Sequence, residues 1–135
     1  MKKGFTLVEI MIVVAIIALL AAIAIPNFLG ARRNAAEAAA QATLRAISTA
    51  YESYATRSGG DYNVPVGTLV AQNYLNKDYV TDCTDSHPCQ GYSYTCTPEA
   101  TGYTCTAEPK GAIADPGGAK TYRISTGGIL TEVSP

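Results

Sequence analysis

A long apolar run begins at Phe5. From Phe5 to Ile25, 21 consecutive residues contain only two polar side chains, Thr6 and Glu9. Because a helix rises about 1.5 Å per residue, this run extends about 32 Å, enough to cross the hydrocarbon core of a bilayer. A carboxylate is costly in such surroundings. The pattern therefore predicts a membrane-spanning helix in which Glu9 needs a partner.

A cut after Gly4 would supply that partner. Phe5 would then carry a new α-ammonium group, and opposite charges at contact attract strongly where water is excluded. Within one helix this amine lies about 6 Å from Glu9 along the axis, whereas a second helix, shifted along that axis, would bring its amine level with the carboxylate. We interpret Glu9 as the residue that fixes the axial shift between neighbouring subunits of a polymer. A signal peptide ending at Ala22-Ile23-Ala24 is disfavoured by the length of the run and its acid.

The helical pattern continues past the apolar run, with a weak point at the junction. Pro26 removes one backbone hydrogen bond and Gly30 follows one turn later, so we expect a kink there. Residues 31–58 are rich in alanine, the best helix former, and Ser58-Gly59-Gly60 ends the segment. An apolar stripe recurs at helical spacing, at Leu44, Ile47, Tyr51 and Tyr54. A helix this long exceeds what one small domain can cover, so its lower half must meet lipid or copies of itself.

The rest of the sequence alternates short apolar faces with turn signals. Residues 59–90 predict a loop with a short helix that starts at Pro65 and ends at Asn76-Lys77-Asp78. Residues 91–135 carry strand patterns rich in Tyr and Thr, with a loop at 110–119. Four strands are predicted, Tyr92–Cys96, Tyr103–Ala107, Thr121–Ser125 and Ile129–Val133. The predicted fold class is α+β, a long kinked amino-terminal helix whose upper half packs on a small antiparallel four-stranded sheet.

Four cysteines follow the apolar segment, Cys83, Cys89, Cys96 and Cys105. Their spacing lacks the paired C-x2-C of zinc sites, and an even count in an exported domain is typical of disulfides. A symmetric turn over Glu99–Gly102 would place Cys96 opposite Cys105, which leaves Cys83 for Cys89. We favour these two pairs, and a swapped connectivity stays open. His87 beside Cys89 is the sole support for a metal site.

The amino-terminal residues KKGFTLVEIMIVVAIIALLAAIAIPNF closely resemble the signature of type IV pilins and of the related type II secretion pseudopilins. The resemblance implies a precursor whose prepilin leader is cut between Gly4 and Phe5 by a membrane prepilin peptidase. The same enzyme would methylate the Phe5 amine. The resemblance also implies that Glu9 contacts the amino terminus of a neighbouring subunit in a helical filament. The bend at Pro26 and Gly30 is then either static or a segment that loosens when subunits pack.

This resemblance divides the chain into a leader, a core helix and a soluble head over residues 31–135. The expected segments are the leader at 1–4, a hydrophobic transmembrane and filament-core helix at 5–30, the upper helix at 31–58, the loop at 59–90 and the sheet at 91–135. Two features depart from the family. The chain has no Trp, which the carboxyl-terminal pattern of major pseudopilins contains, and 30 residues follow Cys105, whereas pilins usually have a disulfide loop near the carboxyl terminus.

The implied function is that of a structural subunit of a type IV pilus, for adhesion, twitching motility or DNA uptake. Its partners would be copies of itself, the prepilin peptidase and an inner-membrane assembly platform with its ATPase. The precursor would cross the inner membrane once before it joins an extracellular filament. Two alternatives stay open, a type II secretion pseudopilin in a periplasmic pseudopilus and a monomeric membrane-anchored binding module.

The sequence carries no pattern typical of catalysis. No nucleophile elbow, metalloprotease, P-loop or dinucleotide motif is present, so we expect neither enzyme activity nor a cofactor. A net charge of −1 without a basic stripe gives no indication of nucleic acid binding. Asp78, Asp82 and Asp85 share one loop, and major pseudopilins bind calcium in such a loop. Without an EF-hand pattern we expect solvated acids and no metal.

Overall fold

The chain folds into one long helix, two short helices and a four-stranded sheet, in a computed structural model that describes residues 2–114 and 118–133. The elements are α1 (Leu7–Ser58), α2 (Val66–Ala71), α3 (Tyr79–Asp82), β1 (Tyr92–Glu99), β2 (Gly102–Pro109), a 3₁₀ turn (Gly111–Ile113), β3 (Thr121–Ser125) and β4 (Ile129–Val133). The chain divides into two compact units, Met1–Arg32 and Arg33–Pro135. The predicted α+β class is confirmed.

In the first unit, α1 leaves its apolar side chains uncovered. The large apolar side chains between Phe5 and Leu29 are 50–86% exposed. One 18-residue window has a mean hydropathy of 3.0, and none of it is buried. Exposed apolar area on this scale is rare on monomeric soluble proteins and marks a surface that meets lipid or protein. By length and composition this part of α1 can cross a membrane.

The backbone of α1 stays helical through Pro26 and Gly30. The side-chain amide of Asn27 donates to the carbonyl of Ile23 (3.1 Å), which adds a hydrogen bond in the turn where proline removes one. A kink at this place, and its loosening when subunits pack, remain predictions.

In the second unit, the sheet is antiparallel throughout and packs on α1. The strand order is β1-β2-β3-β4. Leu44, Ile47 and Tyr51, three members of the predicted stripe, are fully buried in the core. Tyr54, the fourth member, is only half-buried and packs edge-on against Tyr74, with ring centroids 6.0 Å apart. The stripe therefore predicts the buried face of α1, and Tyr54 at its end packs against the edge of the core, next to the buried Ala55.

The two hairpins follow the predicted pattern, and the first is longer than expected. Glu99 pairs with Gly102, so β1 and β2 are joined by Ala100 and Thr101. A side chain at Gly102 would collide with the hydroxyl of Thr126. The second hairpin, β3 and β4, has the predicted bounds. Residues 115–117 of the predicted loop and 134–135 of the predicted sheet segment lie outside the described residues.

The segment before the sheet differs from the prediction in three respects, the first being that α2 ends at Ala71 and not at Asn76-Lys77-Asp78. Pro65 is the N-cap of α2 rather than its first residue, because its ψ of 151° is extended. Asp78 does not end a helix but begins one, since its carboxylate accepts from the amides of Val80 (3.1 Å) and Thr81 (3.2 Å) and caps α3. The four residues of α3 are too few to show a helical period.

Two glutamates of α1 hold the sheet against the helix. Glu37 accepts from the amide of Lys120 (3.1 Å) and the hydroxyl of Tyr122 (3.2 Å), at the start of β3. Glu52 accepts from three groups, the hydroxyls of Tyr62 and Tyr103 and the amide of Gly127, at 2.7, 3.2 and 2.7 Å. Glu52 thus joins α1 to the loop after it, to β2 and to the β3–β4 turn.

Replacing Glu52 with glutamine should weaken the second unit in a pH-dependent manner. Partial burial raises the pKa of Glu52, but the hydrogen bonds from Tyr62, Gly127 and Tyr103 outweigh it and hold the pKa below its usual value of 4.5. The native carboxylate therefore stabilises the fold above about pH 4.5, and this contribution is lost as pH falls through the lowered pKa. We expect Glu52→Gln to lower the free energy of unfolding by about 1 kcal/mol at pH 7, since the group is partly solvated.

The measurement is urea unfolding of the detergent-solubilised full chain, followed by far-UV circular dichroism between pH 3 and 7. The loss caused by Glu52→Gln should shrink as the pH falls, because the native carboxylate is then protonated as well. Glu99→Gln is the matched control, since the exposed Glu99 side chain makes no hydrogen bond or ion pair with the described residues. A Glu52→Gln effect of equal size at all pH values would contradict the assignment of charged hydrogen bonds to Glu52.

Candidate functional site

The predicted cut lies in backbone that no helix or strand occupies. Residues 2–6 precede α1 without regular structure, and Phe5 is 86% exposed. A side chain at Gly4 would meet no atom within 4 Å. Proteases bind their substrates as irregular, accessible chain, because the scissile carbonyl must be reached. The bond between Gly4 and Phe5 meets this requirement in the folded chain.

Glu9 has a partner that the sequence analysis missed. Its Oε2 accepts from the amide of Thr6 (2.7 Å) and from the hydroxyl of Thr6 (2.8 Å), and the Glu9 amide donates back to that hydroxyl (3.2 Å). This arrangement is a capping box, which satisfies amides at the start of a helix. The signal was the T-x-x-E spacing just before an apolar run. The box also explains why α1 begins at Leu7 instead of Phe5.

The capping box holds the Glu9 carboxylate in place without neutralising it. Thr6 supplies two neutral donors to Oε2. No other described residue donates a hydrogen bond to the Glu9 carboxylate or forms an ion pair with it. Oε1 accepts no hydrogen bond from the residues that the structure describes. Beside it lies an apolar recess of about 360 Å³, lined by Phe5, Ile10, Ile12 and Val13. An ion pair beside such an apolar wall would be stronger than one in bulk water.

The favoured disulfide pairs are confirmed. Cys83 is joined to Cys89, and Cys96 to Cys105. Cys96 lies directly opposite Cys105 in the register of β1 and β2, as the symmetric turn predicts. The first bridge closes the loop between α3 and β1, and the second braces the hairpin.

The acids of the α3 region have separate roles. Asp78 caps α3, and Asp85 lies 3.3 Å from the ammonium of Lys110. Hydrogen bonds from Ser93 and Lys110 lower the pKa of Asp85. Within residues 2–114 and 118–133, no group of three His, Cys, Asp or Glu side chains could hold a metal ion. His87 contacts the hydroxyl of Ser86 through Nδ1 (3.2 Å).

Comparison with known proteins places these features in a family. Residues 1–25 match the family model of the prokaryotic N-terminal methylation motif. The type IV narrow pilus major component PilA5 of Thermus thermophilus is 30% identical over 126 residues, which are 93% of this chain and 89% of that protein. The chain belongs to the type IV pilin family. No solved structure matches it significantly.

Other relatives match the pilin over shorter stretches. The type IV major pilin protein PilA of Myxococcus xanthus is 52% identical over 53 residues, 39% of this chain but only 24% of that protein. The type II secretion system core protein G of Escherichia coli is 33% identical over 89 residues, 58% of this chain and 61% of that protein. Family membership thus rests on an alignment that includes the head as well as the amino-terminal helix.

Proposed function

We propose that this pilin is the structural subunit of a type IV pilus filament, and that it polymerises through its amino-terminal helix after its leader is removed. The observation that carries the proposal is the uncovered apolar face of α1 between Phe5 and Leu29, joined to a methylation motif. Such a face needs a membrane before assembly and other copies of the helix afterwards. The second unit, in which Glu37 and Glu52 hold the sheet to the upper part of α1, would form the outer surface of the filament.

The assembly step we propose pairs Glu9 of one copy with the Phe5 amine of another. Removal of residues 1–4 leaves the capping box intact, because Thr6 and Glu9 both follow the cut. The carboxylate therefore enters assembly already oriented, with Oε1 open to the amine. Transfer from lipid to filament keeps the helix in apolar surroundings, so the new ion pair is the interaction that distinguishes the two states.

Processing and export are part of the same proposal. A prepilin peptidase would cut after Gly4 and methylate Phe5, and an inner-membrane platform with its ATPase would extract the subunit. The precursor would lie in the inner membrane with one span, and the filament would be extracellular. Adhesion, twitching motility and DNA uptake are the tasks such a filament would serve.

A pseudopilin of a type II secretion system is the second candidate function. The similarity to the secretion core protein G favours it, but that alignment covers 58% of this chain. The alignment to the narrow pilus component covers 93%. The lack of Trp also departs from the major pseudopilin pattern. We therefore place the pilus first and the periplasmic pseudopilus second.

Replacing Gly4 with leucine should leave the leader attached and abolish filaments. No atom of the described residues lies within 4 Å of a Cβ at Gly4, so the variant should fold normally and only its cleavage by the peptidase should change. The measurement is the mass of the subunit from cells that carry a pilus assembly system, with electron microscopy of sheared fibres. Lys3→Leu, next to the cut, is the matched control and should be processed. Normal cleavage of Gly4→Leu would contradict the proposed cut site.

A further inference from the structure

A polar cleft lies where α1 and α2 end. It measures about 330 Å³ and is lined by Tyr54, Arg57, Ser58, Gln72 and Tyr74. The hydroxyls of Tyr54 and Tyr74, the Gln72 amide and the Arg57 guanidinium make no side-chain hydrogen bond or ion pair with any described residue. The negative end of the α1 dipole favours a cation at this place. The five N–H donors of the guanidinium nevertheless remain unused, and they match the geometry of a carboxylate.

The same unit carries few acids that could serve such a site. The acid side chains that the structure describes are bound to Thr6, the sheet, backbone amides or lysines, with two exceptions. Those exceptions are Asp82 and Glu99. Asp82 is the last residue of α3 and is exposed. Glu99 is the last residue of β1 and is exposed at the tip of the first hairpin.

The hairpin tip presents Glu99 rigidly. The Cys96–Cys105 bridge crosses the hairpin three residues before Glu99. On the other strand, the Tyr103 amide donates to the Thr126 hydroxyl (2.9 Å) and the Thr126 amide donates to the Tyr103 carbonyl (3.2 Å). The backbone that carries Glu99 is therefore braced, and only the Glu99 side chain has to be ordered on binding, which favours its use as a docking point.

We propose that the cleft around Arg57 receives the Glu99 carboxylate of a second copy of this chain. The argument is charge complementarity, because Arg57 in a recess and Glu99 on a braced tip form no ion pair with each other or with any other residue that the structure describes. A contact between two different patches is heterologous, and when repeated it generates an open helical polymer. This contact rests on the proposed filament and adds to it a specific bond between heads.

The half-buried rings of Tyr54 and Tyr74 form one wall of the cleft, while Arg57 and Gln72 are exposed to solvent. The rings exclude water from that side only, so the ion pair gains a modest strength over one in bulk water. Gln72 and the two phenols would supply further hydrogen bonds to the oxygens of the carboxylate. The contact would therefore select a carboxylate over a neutral side chain, and its strength would fall with increasing salt.

The test uses paired cysteines in the full-length chain, expressed with an assembly system. Arg57→Cys with Glu99→Cys should give a ladder of disulfide-linked subunits on a non-reducing gel of sheared filaments treated with a mild oxidant. Arg57→Cys with Asp82→Cys is the matched control and should give no ladder, and neither should the single variants. A ladder from the Asp82 pair, a link within one subunit only, or intact filaments without any ladder would overturn the proposal.

Charge reversal provides a second measurement on the same material. Arg57→Glu should lower filament yield about fivefold, which corresponds to the upper end of the free-energy range of partly exposed ion pairs. Adding Glu99→Arg should restore the yield. Continued loss in the double variant would contradict the contact. Absence of fibres from the unaltered chain would instead contradict the proposed filament, so the two failures are distinguishable.

Discussion

Replacing Glu9 with alanine should leave a cleaved, membrane-held subunit whose filament yield falls about tenfold or more, because the residual amine of each neighbour then lies uncompensated in an apolar core. The second unit should be unaffected, since among the described residues the Glu9 side chain is hydrogen-bonded to Thr6 alone. Filament yield is measured from sheared fibres, and processing is measured by the mass of the subunit. Normal filament yield would contradict the proposed pairing.

The capping box requires a control, because alanine removes both the charge of Glu9 and its hydrogen bonds to Thr6. Glu9→Gln keeps an oxygen that accepts from Thr6 but carries no charge. Thr6→Val keeps the charge but removes the hydroxyl that donates to Oε2. If the charge drives assembly, Glu9→Gln should resemble alanine and Thr6→Val should assemble better than either. The reverse order would assign the effect to the helix cap.

Replacing Tyr51 with alanine should cost about 3–5 kcal/mol of stability in the second unit, the range for a large aromatic removed from a core. Tyr51 is fully buried, its ring stacks on Tyr103 at 4.6 Å, and its hydroxyl donates to the carbonyl of Val64 (3.1 Å). Burial, with a smaller effect of the Asp78 charge, raises the pKa of Tyr51 to about 12, so the phenol stays neutral. Thermal unfolding of the detergent-solubilised chain measures the loss.

Tyr51→Phe separates the ring from the hydroxyl. It keeps the stack on Tyr103 and loses only the bond to Val64, so we expect a cost of about 1–2 kcal/mol. Equal losses for the alanine and phenylalanine variants would show that the hydrogen bond, and not the aromatic packing, holds α1 against the sheet. A loss below about 1 kcal/mol for alanine would contradict the placement of Tyr51 in the core.

Local patterns predicted much of this fold because they reflect local physics. The period of Leu44, Ile47 and Tyr51 marks the buried face of α1, and the turn after Glu99 sets the register that joins Cys96 to Cys105. Both features depend on residues that are near each other in sequence. The apolar run from Phe5 is equally local, and it carried the expectation of a membrane-spanning helix.

The features that the sequence did not reveal fall into two kinds. Glu37 and Glu52 bond groups more than 70 residues away, such as Tyr122 and Gly127, and no local period encodes such contacts. The Thr6–Glu9 box is local, but a carboxylate in an apolar run suggested an intermolecular partner so strongly that its intramolecular partner was overlooked. A polar residue at a helix start therefore needs to be tested as a cap first.

Mass spectrometry of the amino-terminal peptide from sheared surface fibres tests the central claim most directly. If α1 polymerises after leader removal, that peptide should begin at Phe5 and carry an added methyl group on its amine. Fibres built from chains that still begin at Met1, or correctly processed chains that remain single molecules, would contradict it.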